Sequence, residues 1–169
     1  MVYVSAWLKF HHPAAFTAAV INSQPMGFYA PAQLVRDARD HGVEVRPVDV
    51  NASDVDCTLE PGSGKGPALR LGLRLVRGLP QAAAAAIEAC RSEPYRSPAE
   101  LSRRCRSSYR MGRPVLEVLA EADAFRSLGL SRREALWQVL DEEQRPCELP
   151  LFDAREGEPP PPENLPVLV

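Results

Sequence analysis

The chain has 169 residues, 45% of them hydrophobic, and a formal net charge of −2. This length fits one ordinary domain or two small ones, and the apolar content is sufficient for a hydrophobic core. No apolar run approaches the roughly 20 residues that cross a bilayer, and the N-terminus lacks the pattern of a secretion signal. The composition therefore excludes a membrane protein and predicts a soluble, cytoplasmic globular protein.

The first third of the chain predicts helices. Tyr3–Phe10 has the composition of the end of a buried helix that starts upstream of Met1, and a second apolar helix follows Pro13. A third helix is expected from Pro31 to His41, with Gly42 at its C-terminal cap. On its polar side, Arg36 and Arg39 lie three residues apart. They are candidate contacts for a nucleotide or template phosphate, and a solvated surface is the alternative.

A glycine-rich connector leads to an alternating segment. Gly62–Gly66 contains Gly-Lys, but its spacing does not match a phosphate-binding P-loop, so we interpret it as a connector. From residue 69 to 76, leucines alternate with other residues, which predicts a strand with one buried leucine face. Arg70 and Arg74 would share the opposite face. The alternative is that the end of this segment forms a short helix.

The next residues predict a helix–hairpin–helix turn, a device for holding a nucleic-acid backbone. Gly78, Leu79 and Pro80 form the turn, and Gln81 begins an alanine-rich helix. Backbone N–H groups at such a helix N-terminus can face a phosphate oxygen. Pro80 has no N–H, so one such hydrogen bond is lost. A hairpin used only for packing is the alternative.

The charge distribution supports a phosphate-binding role for this region. Residues 65–113 carry 11 basic and 3 acidic residues, a balance of +8, whereas residues 141–169 carry 2 basic and 8 acidic residues, a balance of −6. A positive block at a hairpin is what phosphate binding requires. The predicted DNA contacts are Arg70, Arg74, Arg77, Gly78, Leu79, Gln81, Arg103, Arg104, Arg106 and Arg110.

A second helix–turn–helix is expected downstream. Ser97 is a predicted N-cap for a short helix that ends near Cys105, and another helix begins near Arg113. The turn between them, Arg106 to Gly112, is interpreted as a second hairpin that could pair with the first. A loop over Ala124–Leu130 then leads to a last helix capped by Ser131. No catalytic or metal-binding constellation is predicted, and the four cysteines are spaced as unpaired thiols.

Several blocks of sequence resemble one polymerase family. They include Val4-Ser5-Ala6-Trp7-Leu8-Lys9, the run from Asn22 to Tyr29, the run from Gly42 to Asn51, Gly78-Leu79-Pro80, and Ala122 to Gly129. These blocks are similar, in order, to the bacterial C-family DNA polymerases of the polymerase III alpha-subunit type, nearest to the error-prone, damage-inducible branch.

The resemblance implies a division of the chain and a fold that is mainly α with a little β. Residues 1–65 would be the C-terminal part of the polymerase fingers, residues 66–141 a tandem helix–hairpin–helix domain, and residues 142–169 a proline-rich acidic tail. The family's magnesium-binding aspartates belong to a palm domain that precedes this region. We therefore expect no cofactor here, magnesium in the parent polymerase, and no polymerisation by this piece alone.

The resemblance also offers a partner for the tail. Replicative members carry a sliding-clamp motif after the hairpins, and Glu148, Leu149, Pro150, Leu151 and Phe152 resemble it with glutamate in place of the usual glutamine. We expect a DNA-binding piece of an error-prone polymerase, active in translesion synthesis and DNA repair, that positions primer–template DNA by non-specific backbone contacts. The alternative is a protein-interaction module that recruits a sliding clamp or an accessory mutagenesis protein.

Overall fold

The computed structural model describes residues 2–24, 29–64 and 66–142. In these ranges the chain is mainly helical with a small three-stranded sheet, as predicted. The α-helices are α1 (Val2–His11), α2 (Pro13–Asn22), α3 (Pro31–Asp40), α4 (Gln81–Ala89), α5 (Pro98–Cys105), α6 (Arg113–Glu121) and α7 (Arg132–Glu142). The strands are β1 (Val45–Arg46), β2 (Thr58–Glu60) and β3 (Ala68–Arg70).

A first hydrophobic core joins α2 and α3 to the sheet. Its centre includes Ile21 and Leu69, both fully buried, and Ala38 at 1% exposure. β3 is the central strand: it pairs parallel with β1 and antiparallel with β2. Gly42 has φ +79 after α3, which is the left-handed C-terminal cap that the sequence predicts.

A second, larger core holds the helices that follow the sheet. It includes Ile87 of α4, Leu101 of α5 and Leu119 of α6, all fully buried. α7 packs against both α6 and α5, and Val139 brings it into this core at 2% exposure. Ser97 caps α5 as predicted, since its hydroxyl accepts a hydrogen bond from the N–H of Glu100 at 3.1 Å.

The segment after β1 ties the helices of this second core together. Asn51 donates from Nδ2 to the carbonyl of Tyr95 at 3.0 Å and to Ser127 Oγ at 2.9 Å, and its Oδ1 accepts from the N–H of Tyr95 at 2.7 Å. Asp49, 5% exposed, accepts from the N–H of Ser127 at 2.9 Å. Two widely separated loops are thus held by one short segment, which we call the Asp49–Asn51 link.

The structure corrects two predictions about local structure. The alternating leucines form a strand only over Ala68–Arg70, and a 3-10 helix at Leu73–Leu75 confirms the alternative of a short helix at the end of that segment. The helix with Trp7 forms, but it is not buried: Tyr3 is 80% and Phe10 81% exposed. The reason is that α1 packs on α2 and is tied to α3 by the ion pair of Lys9 with Asp37, so its outer side has no cover in the described chain.

Candidate nucleic-acid interface

The predicted hairpin turn at Gly78 is formed. Gly78 has φ +87, a backbone conformation that favours glycine, and it lies between the 3-10 helix and α4. A Cβ at this position would meet Val118 Cγ2 of α6 at 3.6 Å, so the turn sits against that helix. Leu79 is half-buried against the second core, and α4 buries Ala84 and Ile87 as the helical spacing predicts.

The N-terminus of α4 offers unused donors. The N–H groups of Gln81 and Ala82 have no acceptor among the residues that the structure describes, and both residues are exposed. Pro80 precedes the helix without a side-chain cap, and the first turn contains no acidic residue. The first turn of the helix therefore presents free N–H groups and the positive end of the helix dipole to solvent.

A second glycine turn occurs where the sequence predicts a loop. Gly129 has φ +75 and is followed by Leu130 and Ser131 before α7 begins at Arg132. The same spacing separates Gly78 from the start of α4. α6 and α7 pack closely on each other, so they are the two helices of this second unit. The turn between α5 and α6, at Arg106 to Gly112, is therefore not the hairpin that the sequence interpretation made it.

The second turn has its own anion at the helix N-terminus. Glu134 Oε2 accepts hydrogen bonds from the N–H of Ser131 at 2.8 Å and from Ser131 Oγ at 2.7 Å. These bonds, the backbone one first, hold the pKa of the Glu134 carboxyl below its ordinary value. This is a capping box, and it places a carboxylate beside the position that a phosphate would take at the first turn.

Cations near the turns fall into two groups. Arg77, one residue before Gly78, is exposed and has no partner in the described ranges, and the same holds for Arg132 and Arg133 at the start of α7. Arg126 is exposed but pairs with Asp123 at 3.1 Å. Free exposed arginines beside unused N–H groups favour binding of a phosphate backbone.

Two of the predicted DNA contacts, Arg70 and Arg74, form ion pairs and hydrogen bonds with other residues of the chain. Arg70 pairs with Glu60 at 2.8 Å and donates to the carbonyl of Pro47 at 2.9 Å. Arg74 pairs with Asp56 at 3.1 Å and donates to the carbonyl of Asn22 at 2.7 Å. The strand ends before Arg74, so the two side chains do not share one face of a strand.

Arg104 is also held internally. It donates to the carbonyl oxygens of Cys90 and Glu93, both at 2.9 Å, and its guanidinium lies 4.6 Å from the centre of the Tyr95 ring. Its neighbours Arg103, Arg106 and Arg110 are exposed and have no side-chain partner among the described residues.

Other predicted sites lie apart from the turns. Arg36 and Arg39 are exposed on α3, which belongs to the first core. The clamp-like motif from Glu148 to Phe152 lies outside the described residues, as does Cys147; Cys57, Cys90 and Cys105 are unpaired. In the part of the chain that the structure describes, no three His, Cys, Asp or Glu side chains gather as a metal site, and no helix is long and apolar enough to cross a membrane.

The second turn was missed although the sequence contained a signal for it. Gly129-Leu130 repeats Gly78-Leu79, and a helix begins at the third residue after each glycine. The concentration of arginines between residues 103 and 113 drew the interpretation to the earlier turn instead. A search for the repeated Gly-Leu spacing would have found the pair.

Comparisons with known proteins agree with this geometry. Proteins named error-prone DNA polymerase are 53% identical in Sinorhizobium medicae (strain WSM419), over 90% of this chain and 15% of the relative, and 56% identical in Alkalilimnicola ehrlichii (strain ATCC BAA-1101 / DSM 17681 / MLHE-1), over 90% and 14%. A third, from Ruegeria pomeroyi (strain ATCC 700808 / DSM 15171 / DSS-3), is 54% identical over 94% of this chain and 14% of its own length.

The chain thus spans about 15% of the length of the first of these relatives. The family model for the helix-hairpin-helix motif matches residues 42–135, a range that contains both glycine turns and more than half of the chain. With both turns formed and the model matched over this range, the chain belongs to the helix-hairpin-helix family.

Proposed function

We propose that this chain binds duplex DNA through its phosphates and positions primer–template DNA within an error-prone DNA polymerase. The Gly78 turn is the main contact and the Gly129 turn the second. Contacts of this kind fix the register of a protein on DNA without reading its sequence. A polymerase that copies damaged templates needs such sequence-independent binding, because it meets its substrate at any sequence.

The observation that carries the proposal is the open N-terminus of α4. The N–H groups of Gln81 and Ala82, two exposed residues, lack an internal acceptor in the described chain, and Arg77 adds a free cation near them. A phosphate oxygen satisfies both the donors and the charge. Arg132 and Arg133 give the second turn the same electrostatic preference, although Glu134 opposes it.

The role within a polymerase rests on the relatives. Their shared name supports placing this chain in a protein that synthesises DNA with low fidelity. We assign nucleotide addition, and the magnesium ions that it needs, to other parts of such a protein. The residues described here would hold the DNA while that chemistry takes place.

Salt dependence of duplex binding tests the proposal. Fluorescence anisotropy with a labelled blunt 20-base-pair duplex should show affinity falling by about a hundredfold between 50 and 200 mM salt, as release of counterions from about four phosphates gives. Two duplexes of unrelated sequence should bind equally. Absence of duplex binding at 50 mM salt contradicts the proposal, and binding of a sliding clamp by the same sample would then favour the protein-interaction alternative.

A further inference from the structure

A cavity with a cationic rim opens beside the second core. It has a volume of about 340 Å³ and opens between the second half of α5, the start of α6 and Val139 in the second half of α7. Its rim carries Arg106, Arg110 and Arg113, and Met111, Leu116 and Val139 also line it. This volume is within the range of roughly 300–1,000 Å³ typical of small-molecule sites.

The rim has two arginines without an internal counter-ion. Arg106 and Arg110 are exposed, and neither side chain has a partner among the described residues. Arg113 differs, because its Nε donates to Glu117 Oε1 at 2.7 Å. The rim therefore favours an anion. Arginine suits phosphate oxygens in particular, because its planar guanidinium donates several hydrogen bonds in a fixed geometry.

The floor of the cavity is a small apolar area beside the polar Ser102. Met111 and Leu116 are each 5% exposed and Val139 is 2% exposed, so a limited part of each side chain reaches the cavity. A bare phosphate would leave this surface in contact with water. A ligand that carries an apolar, flat group next to its phosphate would cover it, and a nucleotide has that combination.

The wall of the cavity is held in place before any ligand arrives. Ser102 Oγ donates to the carbonyl of Met111 at 3.2 Å, which ties the turn to α5. The N–H of Tyr109 donates to the carbonyl of Cys105 at 2.7 Å and closes the first part of the same turn. A site that is already formed loses little conformational entropy on binding.

We propose that this cavity takes one unpaired nucleotide of a DNA strand, with its phosphate between Arg106 and Arg110 and its base against Met111 and Leu116. The inference rests on the proposed function, since the glycine turns would hold the duplex part of the same DNA. Val139 lies seven residues beyond Arg132 on α7, about 10 Å at ~1.5 Å per residue. That distance equals about three base-pair steps at ~3.4 Å each.

The test compares a blunt duplex with the same duplex extended by four unpaired nucleotides. Anisotropy with the full chain should show fivefold to tenfold tighter binding of the extended DNA, about what one or two charge-assisted phosphate contacts give at a partly exposed site. An abasic residue moved through the overhang should remove most of this advantage at one position. Equal loss at every position, or none, overturns the assignment of a base to the apolar lining.

Two variants with matched controls locate the effect. Gly112 lines the cavity with φ −75, and a Cβ there meets only Pro114 Cδ at 3.5 Å, so Gly112→Phe fits the backbone and fills the mouth, whereas Gly112→Ala does not fill it. Arg110→Gln removes a rim charge, and Arg96→Gln removes an exposed charge elsewhere. Gly112→Phe should abolish the overhang advantage and leave blunt-duplex binding within about twofold. Arg110→Gln should abolish the advantage whatever its effect on the blunt duplex, and the controls should keep the advantage.

The outcomes separate this inference from the proposed function. Failure of the blunt duplex to bind contradicts the proposed function. Normal binding of the blunt duplex without an overhang advantage overturns only the cavity. A polyglutamate peptide that removes the advantage as well as an oligothymidylate of equal length shows that the rim selects charge alone and overturns it too. Thermal denaturation shows whether each variant is folded. If Gly112→Phe does not fold, Arg110→Gln still tests the inference.

Discussion

The two glycine turns have nearly the same backbone and different chemistry. Both place a glycine in the left-handed region, with φ +87 at Gly78 and φ +75 at Gly129. In each case a helix begins at the third residue after the glycine, α4 at Gln81 and α7 at Arg132. At the N-terminus of α7, Glu134 accepts hydrogen bonds from the N–H and Oγ of Ser131, so a carboxylate lies beside the first turn; the first turn of α4 has no acidic residue. Equal geometry therefore does not give equal affinity for an anion, because the carboxylate at the second turn repels one.

The arginines beside the two turns differ in the same way, by the presence or absence of a nearby carboxylate. Arg77 stands next to donors with no competing carboxylate, but Arg132 and Arg133 share their helix turn with Glu134. We expect the first turn to hold a phosphate more tightly than the second, because no carboxylate competes with the phosphate there. Duplex affinity should then depend more on the geometry of the first turn than on that of the second.

The matched pair Gly78→Ala and Gly129→Ala should show the largest difference in duplex affinity between the two turns. Both glycines have positive φ, so each alanine costs about 1 kcal/mol of strain. Neither added Cβ has a close contact: at Gly78 the nearest atom is 3.6 Å away, and at Gly129 none lies within 4 Å. Stability should thus fall equally. Duplex affinity should fall about tenfold for Gly78→Ala, since a distorted turn misplaces its donors, and about twofold for Gly129→Ala.

Anisotropy at fixed salt, with urea denaturation of both variants, checks this prediction. If the two variants lose affinity equally, the turns bind equivalently and the capping by Glu134 has no effect on phosphate. If Gly129→Ala loses more, the assignment of the main contact is reversed.

Arg77→Gln and Arg104→Gln should separate binding from stability. Loss of Arg77, exposed and unpaired in the described chain, should weaken duplex binding about threefold and reduce the slope of log affinity against log salt by about 0.9. Loss of Arg104 removes its bonds to the Cys90 and Glu93 carbonyls and its contact with the Tyr95 ring. That change should lower the free energy of unfolding by about 1–2 kcal/mol and leave the slope unchanged.

A reduced salt slope in Arg104→Gln would contradict this division and return Arg104 to the DNA contacts. Urea denaturation and salt titration of the same two preparations provide the comparison. Arg96→Gln, which removes another exposed charge and no bond of Arg77 or Arg104, serves as the charge-matched control.

The smallest expected effect concerns the carboxylate at the second turn. Glu134→Gln removes its charge and keeps an acceptor for Ser131, so duplex affinity at pH 7 should rise about twofold. Because folding lowers the pKa of Glu134, the charged cap stabilises the fold above the ordinary value of 4.5, and this contribution is lost as pH falls through the folded value. The Tm of the wild type should exceed that of Glu134→Gln at pH 7 and approach it below pH 4.5.

A Tm difference that persists unchanged to pH 3 would show that the cap does not act through the charge of Glu134. Unchanged DNA affinity in the variant would mean that the carboxylate does not compete with phosphate at the second turn.

Local features were predictable from the sequence because neighbouring residues determine them. Ser97 caps α5 through a bond three residues away, and Gly42 ends α3 by its own backbone freedom. The buried face of α4, with Ala84 and Ile87, follows from helical spacing alone. The turn at Gly78 belongs to the same class, since glycine before a strong helix former marks it.

Features that depend on distant parts of the chain were not predictable. The pairing of Arg70 with Glu60 requires the register of β2 against β3, in which Glu60 faces Ala68 and Thr58 faces Arg70. A row of arginines in sequence therefore does not reveal which side chains remain free. The exposure of Phe10 has the same cause: an apolar pattern predicts burial, but burial requires a partner element on that side.

The Asp49–Asn51 link has a consequence for the shape of DNA that this chain accepts. Asn51 holds Tyr95, in the loop after α4, and Ser127, just before the Gly129 turn. The Gly78 turn lies at the other end of α4. The distance between the two turns is therefore fixed by the protein. A duplex would therefore meet two contacts at a separation that is fixed before it binds, and DNA whose backbone is interrupted between them would lose one of the two.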